Sequence, residues 1–190
     1  MLKAYFNKNI SEAGIDEAGR GSYAGPVFAA AVILPGDFYH PLLNDSKLVS
    51  EKNRELLRQV IEKESIGFSV ASVNNLVIDK INILQATFKA MHLAIGGLKP
   101  IPELLLVDGN RFKPYKKIAN HCIVEGDKKY AAIAAASILA KTYRDDFMRN
   151  IHLHFPHYGW EDNKGYGTPF HRQAIGQFGL SPYHRKSFNI

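Results

Sequence analysis

The sequence contains a single cysteine and lacks internal repeats, low-complexity tracts and Ser/Gly-rich linkers. One thiol forms no intramolecular disulfide and no cysteine-based zinc site, so we expect a reducing, cytoplasmic setting. The longest apolar run, residues 130–140, is about half of the ~20 residues that a membrane-spanning helix needs. The N-terminal residues show no basic stretch before a small-residue cleavage site, so we expect no secretory signal. Secreted disulfide scaffolds and membrane partners are therefore not expected.

What the chain does contain is typical of a globular protein: 190 residues, 46% of them hydrophobic and 22% charged. We expect one catalytic domain over residues 1–190, with residues 151–190 as a C-terminal substrate-binding appendage, and a monomer. The 24 basic residues exceed the 18 acidic ones, for a net charge of +6. This excess favours a polyanionic partner, although by itself it is an unspecific signal.

Strand-like and helix-like patterns alternate along the chain, which predicts an α/β fold with a central mixed β-sheet flanked by helices and a C-terminal helical segment. The predicted strands cover residues 11–17, 27–34, 66–73, 104–107 and 118–124. The predicted helices cover residues 51–63, 81–98, 128–150 and 170–178. Cys122 lies inside a predicted strand, which favours a small buried hydrophobe over a nucleophile.

Four carboxylates lie at strand ends or at strand–helix junctions. Asp16 and Glu17 close the first predicted strand, Asp108 closes the fourth, and Asp127 lies between the fifth strand and the long helix. Ligands of open α/β sheets bind beyond the strand ends, so these residues are expected to converge on one cleft. A cluster of carboxylates repels itself unless cations lie between them, and oxygen-only donors favour Mg²⁺ or Mn²⁺.

Each carboxylate also has a purely structural interpretation. Asp127 is suited to cap the following helix, Asp108 begins a good turn sequence, and Asp16 and Glu17 are compatible with solvated charges beside a loop. Successive side chains on a strand also point to opposite faces. Asp16 and Glu17 reach one metal site only if the chain bends, which Gly19 permits.

Further candidates surround this cleft. The Gly19-Arg20-Gly21 segment either lets backbone N–H groups approach a ligand or is only a turn, and Lys47 either holds a phosphate or is solvated behind a cap. Tyr166, between two glycines, is either exposed for stacking on a sugar or base or folded back onto the core. His184 and Arg185 are candidates for contacting the substrate, since basic side chains here would suit phosphates.

Together these residues resemble the type 2 ribonuclease H (ribonuclease HII) family. The blocks that carry the resemblance are Gly14 to Gly21, Ala24 to Val27, Asn44 to Lys47, Asn82 to Thr87, Val107 to Gly109, Gly126-Asp127, Ala135 to Lys141, Lys164 to Thr168 and His184-Arg185. They run over nearly the whole chain, and their combination is highly specific. The short segment ahead of the first block favours type 2 over type 3 enzymes.

The resemblance implies a ribonuclease-H-like fold and an endonuclease that cuts RNA in RNA·DNA hybrids and 5′ of ribonucleotides embedded in duplex DNA, in ribonucleotide removal. It places the acidic quartet, which is both catalytic and metal-binding, on Asp16, Glu17, Asp108 and Asp127. It also implies that Gly19-Arg20-Gly21 contacts the 2′-OH and flanking phosphates, and that Tyr166 lies against the sugar on the 3′ side of the cut. Asp145 matches another recurrent acid, for which we expect an ion pair with Arg144.

The expected mechanism is hydrolysis with two Mg²⁺ or Mn²⁺ ions roughly 4 Å apart, leaving a 3′-OH and a 5′-phosphate. Ser22-Tyr23 and Asn163 depart from the usual family pattern and bear on substrate preference. A contact with a replication clamp is not deducible from these residues. The alternatives are a non-catalytic hybrid-binding module and a related metal-dependent nuclease that cuts all-DNA substrates.

Overall fold

A five-stranded mixed sheet forms the centre of the molecule. The computed structural model describes residues 2–189, and its strands are β1 (Glu12–Ala18), β2 (Val27–Ile33), β3 (Gly67–Val73), β4 (Leu104–Asp108) and β5 (Ala119–Ile123), in the order β3-β2-β1-β4-β5. The strand pairs β1/β2 and β2/β3 are antiparallel, whereas β1/β4 and β4/β5 are parallel. The predicted α/β class and mixed strand directions are confirmed.

Six helices surround the sheet. They are α1 (Glu51–Glu64), α2 (Asn75–Ile81), α3 (Ile83–Gly97), α4 (Ala131–His152), α5 (Trp160–Asn163) and α6 (Pro169–Phe178). Helix α3 covers one face of the sheet, and the alanine-rich α4, together with α1, covers the other. None of the helices within residues 2–189 is long and apolar enough to cross a membrane.

Helix α4 packs directly against the backbone of β1 at Gly14. A Cβ atom at this position would lie 2.1 Å from the backbone carbon of Ala132 in α4. Only glycine therefore allows α4 to lie this near to β1. The contact sets the height of α4 above the strand end at which Asp16 and Glu17 lie.

Two predicted features differ from the structure. The helix expected over residues 81–98 is interrupted at Asn82, which adopts φ 64° and caps α3 by accepting a hydrogen bond from the Gln85 N–H. Asparagine tolerates positive φ and is a good N-cap, so its own chemistry explains the break. Cys122 is exposed rather than buried, because β5 is the edge strand of the sheet.

Candidate active site

Asp16 and Glu17 converge on one site from opposite faces of β1. Asp16 is 5% exposed and faces α4, on which Ser137 is near enough to affect its pKa. Glu17 faces α3 and lines a cavity with Leu84 and Thr87. Both carboxylates also line a second cavity of about 240 Å³. The site lies at the end of the strand, where the two faces meet.

Asp108, at the end of the neighbouring parallel strand β4, connects this pair with Asp127. It lines both cavities, and its Oδ1 accepts a hydrogen bond of 2.7 Å from the Gly126 N–H. Asp127 lies in the 3₁₀ turn Gly126–Lys128 and is 4% exposed. Helix α4 begins later, at Ala131, and has no side-chain cap, so the capping role weighed for Asp127 is absent. The chain thus brings Asp16, Glu17 and Asp108 to one cavity, and Asp127 is near enough to Asp108 for their charges to interact.

The pKa values show how the carboxylates affect one another. Burial, followed by the charges of Glu17 and Asp108, holds the pKa of Asp16 well above its usual value. Burial also raises the pKa of Glu17, against the opposing charge of Arg20. Burial, Asp108 and Asp45 raise the pKa of Asp127 to about 6. Burial first and mutual repulsion second therefore disfavour the charged forms.

This donor set fits a hard divalent cation. Within residues 2–189, no three His, Cys, Asp or Glu side chains form a ready-made metal cage. Asp16, Glu17 and Asp108 nevertheless bring carboxylate oxygens to one cavity, and such oxygens suit Mg²⁺ or Mn²⁺. Burial and mutual repulsion both raise the pKa values of the carboxylates, and a bound cation would relieve the repulsion.

Lys47 places a positive charge at the rim of the carboxylate cluster. Its side chain lines the cavity of Asp16 and Glu17. Burial lowers the pKa of Lys47, but Asp45, Asp127, Asp16 and Asp108 together raise it above the usual lysine value. Asp45 also accepts the Lys47 N–H at 2.9 Å, which orients the segment toward the site. Lys47 is thus an exposed cation beside buried anions.

A buried arginine, Arg185, binds the backbone of the Gly19-Arg20-Gly21 turn through hydrogen bonds. Arg185 is fully buried and donates to the carbonyls of Gly19 at 2.7 Å, Arg20 at 2.8 Å and Gly25 at 3.0 Å. The carbonyls therefore point inward. The N–H groups of Arg20 and Gly21 have no acceptor among residues 2–189, and the Arg20 side chain is half-exposed and paired with Glu17 at 3.2 Å.

A second buried arginine, Arg144 of α4, lies beneath the same turn. It donates to the Pro26 carbonyl, the Ala24 carbonyl and the Ser22 hydroxyl, the last at 2.8 Å. A Cβ at Gly19, where φ is +89°, would lie 1.9 Å from the Arg144 Nε, so only glycine fits there. Two buried guanidinium groups therefore underlie the turn and favour an anion above it.

Tyr166 is 39% exposed, so it is available to a ligand rather than folded onto the core. Its ring lies over the Arg144 guanidinium, 5.3 Å from ring centroid to Cζ. The Tyr23 ring fills the space beside Gly167, where a Cβ would lie 2.3 Å from it. Tyr166 thus borders the same cavity as Asp16 and Gly19.

The sequence predicts that His184 contacts the substrate, but its side chain is buried. Its Nε2 lies 3.1 Å from the Nε2 of His171, and its Nδ1 accepts the Ser181 N–H at 2.8 Å. Burial and the neighbouring His171 lower the pKa of His184 to about 4. The structure therefore gives His184 and Arg185 a supporting position behind the turn.

Three further residues of the site were not among the candidates from the sequence. Ser137, Lys141 and Arg144 lie on one face of α4, where the first two line the cavity and the third lies below it. Their spacing of four and three residues, after the apolar first turns of the helix, was the available signal. The ion pair expected between Asp145 and Arg144 is wrong, because Asp145 pairs with Lys141 at 2.6 Å and Arg144 binds the turn.

Comparison with known proteins places this site in a family. The family model for Ribonuclease HII matches residues 13–190. The chain belongs to the ribonuclease HII family. It is 60% identical to the Ribonuclease HII of Porphyromonas gingivalis over 188 residues, which cover 99% of this chain and 94% of that protein. The resemblance inferred from the motifs is thereby confirmed.

Solved structures of this family share the fold. The ribonuclease H2 of Pyrococcus horikoshii superimposes with a TM-score of 0.78 at 25% identity, covering 94% of this chain and 93% of that one. The ribonuclease HII of Archaeoglobus fulgidus, solved as a complex with PCNA, gives a TM-score of 0.79 at 25% identity and covers 95% and 96%. The protein is a type 2 ribonuclease H, a hydrolase of a divalent-metal-dependent family that acts on RNA·DNA hybrids.

Proposed function

We propose that this enzyme cuts the RNA strand of RNA·DNA hybrids and also cuts 5′ of ribonucleotides embedded in duplex DNA, leaving a 3′-OH and a 5′-phosphate. The observation that supports this is a single cavity shared by the carboxylates Asp16, Glu17 and Asp108 and by the Gly19-Arg20-Gly21 turn. Hydrolysis and ribose recognition would then be neighbouring events. The activity belongs to ribonucleotide removal from DNA in the cytoplasm.

Asp16, Glu17, Asp108 and Asp127 would hold the metal. When bound, Mg²⁺ or Mn²⁺ would supply an activated water and neutralise the charge of the departing oxygen. Asp108 keeps one oxygen engaged with the Gly126 N–H and so presents the other to the site. Ser137 lines the same cavity as Asp16.

The turn would distinguish RNA from DNA. Because Arg185 binds the carbonyls of Gly19 and Arg20, the free N–H groups of the turn are available to the substrate. A 2′-OH both donates and accepts hydrogen bonds, whereas deoxyribose lacks it. Tyr166 would lie against the sugar on the 3′ side of the cut, and Lys47 would contact a phosphate.

His184 and Arg185 act in this proposal as positioning residues rather than as direct substrate contacts. Arg185 holds the recognition turn, and His184 holds the chain beside it, where Ala24 and His184 form an isolated β-bridge. Residues 151–190 would serve as the substrate-binding appendage of a monomeric enzyme. The appendage thus contributes Tyr166 to the surface and Arg185 to its support.

Cleavage of an end-labelled DNA duplex with one ribonucleotide, run with Mg²⁺, Mn²⁺ or chelator, tests the proposal. We expect one metal-dependent cut immediately 5′ of the ribonucleotide and none in an all-DNA duplex. Cleavage only within long RNA·DNA hybrids would overturn the account of the turn. Cleavage of the all-DNA duplex would favour the related DNA nuclease instead.

The variant Asp108→Asn tests the carboxylate site. Asparagine keeps an oxygen that accepts the Gly126 N–H but removes the charge, so we expect cleavage to fall at least ~10³-fold while duplex affinity stays within a few-fold. Asp37→Asn, an exposed carboxylate elsewhere, is the matched control and should leave cleavage unchanged. Tight, salt-dependent binding without cleavage by the unaltered protein would favour the binding module.

A further inference from the structure

A groove leads away from the carboxylates, and Tyr166 lines none of its cavities. Three adjoining cavities of about 270, 640 and 840 Å³ follow helix α3, and Phe88 lines all of them. The first begins at Glu17 and Asp108, and the last ends at Tyr115. The groove is therefore continuous with the candidate active site.

The two walls of this groove carry charge of one sign. Helix α3 and the loop of residues 109–117 contain no Asp or Glu, and their basic side chains are Lys89, Arg111, Lys113, Lys116 and Lys117. All five are exposed, and none forms an ion pair within residues 2–189. Unpaired cations along a groove are suited to a polyanion.

The loop wall is fixed against α3 in its present position. His92 donates a 2.7 Å hydrogen bond from its Nε2 to the Lys113 carbonyl, and the Phe112 ring packs edge-on against Phe88, at 6.3 Å between centroids. At Gly96 the absence of a side chain admits the Tyr115 hydroxyl, which would lie 3.0 Å from a Cβ. The loop that carries these basic residues is thus packed firmly against α3.

We propose that this groove binds the backbone phosphates of the substrate duplex on the 5′ side of the cut. Glu17 and Arg20 line both the first cavity of the groove and the cavity that Tyr166 borders, so they lie between the two. This inference rests on the proposed function, in which Tyr166 contacts the 3′ side. A strand that passes the carboxylates then continues into the groove in the 5′ direction.

Substrates with unequal flanks test the proposal. Each carries one ribonucleotide; one has about 12 base pairs on the 5′ side and about 3 on the 3′ side, and the other has the reverse. The variant is Lys89→Gln/Lys113→Gln, and the matched control is Lys52→Gln/Lys63→Gln on α1, where both lysines are exposed. Affinity is measured in Ca²⁺ and cleavage in Mg²⁺, each over a salt series.

We expect the groove variant to bind the substrate with the long 5′ flank about tenfold more weakly than the unaltered enzyme, with a salt slope lower by about 2. On the substrate with the long 3′ flank, its affinity should equal that of the unaltered enzyme. The control variant should match the unaltered enzyme on both. Equal loss on both substrates, loss only with the long 3′ flank, or no loss would each overturn the proposal.

The two proposals fail separately in this design. If the unaltered enzyme makes no cut 5′ of the ribonucleotide, the proposed function fails whatever the variants do. If it cuts there but the groove variant shows no dependence on the 5′ flank, only the groove proposal fails. Affinity depends on no chemical step, so it reports on the groove in both cases.

Discussion

At the scale of single residues, the site contains carboxylates whose negative charges destabilise the folded protein. Asp16 and Asp127 are nearly buried, and their pKa values are raised by burial and by neighbouring carboxylates. In the folded state they therefore bind protons more readily than in the unfolded chain. The repulsion that suits them to a cation makes the metal-free protein less stable at neutral pH.

This repulsion predicts a stabilising variant that is inactive. The pKa of Asp127 is raised from 3.8 to about 6, so its destabilising effect is absent below about pH 4 and complete above about pH 6. In chelator at pH 8, Asp127→Asn should raise the free energy of unfolding by on the order of 2 kcal/mol, or Tm by roughly 5 °C. Calorimetry at pH 8 and pH 4 measures the effect.

The measurement at pH 4 and an exposed control variant check this prediction. At pH 4 the Asp127 carboxyl of the unaltered protein is largely protonated, so the gain in Tm should shrink there. Asp37→Asn, at an exposed position, should change Tm at neither pH. A variant that is less stable than the unaltered protein at pH 8 would show that Asp127 is not strained by its neighbours.

At the scale of secondary-structure elements, one close contact brings side chains of two elements to the same cavity. Asp16 belongs to β1, whereas Ser137, which lines this cavity with it, belongs to α4. Gly14 fixes the distance between these elements, because a Cβ there would overlap the α4 backbone. Packing of a helix on a strand thus determines which side chains meet at the candidate active site.

Gly14→Ala should therefore affect both stability and catalysis. The Cβ would meet backbone atoms of Ala132 that cannot rotate away, so we expect a loss of roughly 3 kcal/mol in the free energy of unfolding. Denaturant unfolding measures the loss, and cleavage assays at low temperature should show reduced kcat in the folded fraction. Gly36→Ala, where a Cβ meets nothing within 4 Å, is the control and should leave both unchanged.

The sequence allowed all five strands and most of the helices to be predicted, since strand ends and turn residues are local signals, but α2 and α5 had no predicted counterpart. The convergence of Asp16, Glu17 and Asp108 on one cavity agrees with their prediction from strand ends. Asp16 and Glu17 needed no bend in the chain, because the two faces of β1 meet at its end. The positions of Arg144 and Arg185 beneath the turn could not be predicted, since they depend on contacts between residues more than 100 positions apart. The exposure of Cys122 follows from sheet order, which local patterns do not encode.

At the scale of the whole molecule, the C-terminal segment and the N-terminal turn form one recognition unit. Tyr23 and Ala24 donate their N–H groups to the Gly165 carbonyl, and Arg185 donates its backbone N–H to Tyr23 and its side chain to Gly19. Burial and the nearby Arg144 lower the pKa of Arg185 to about 9. The hydrogen bonds to the backbone carbonyls therefore keep this buried guanidinium in place, despite burial and the nearby positive charge of Arg144.

Arg185→Lys should weaken ribose recognition. Lysine keeps the charge but lacks the planar set of donors that reaches three carbonyls at once. We expect KM for the single-ribonucleotide duplex to rise about tenfold, and the preference for RNA over DNA positions to fall, because the turn loses its fixed orientation. Steady-state kinetics on matched duplexes measures both quantities.

The control for this experiment is Arg149→Lys. Arg149 makes only partly exposed ion pairs with Glu51, Glu55 and Asp146, so its substitution should leave KM and the preference for RNA positions unchanged. If Arg185→Lys lowers Tm but leaves the preference for RNA positions intact, Arg185 stabilises the fold without positioning the turn.

The bonds from Arg185 to the turn join residues separated by 165 and 166 positions. During synthesis the turn therefore leaves the ribosome long before the arginine that binds its carbonyls. All five strands lie between residues 12 and 123, so a growing chain can contain the whole sheet while the turn still lacks these bonds. The turn reaches its final hydrogen-bonded state only after residue 185 has been added and has folded back onto it.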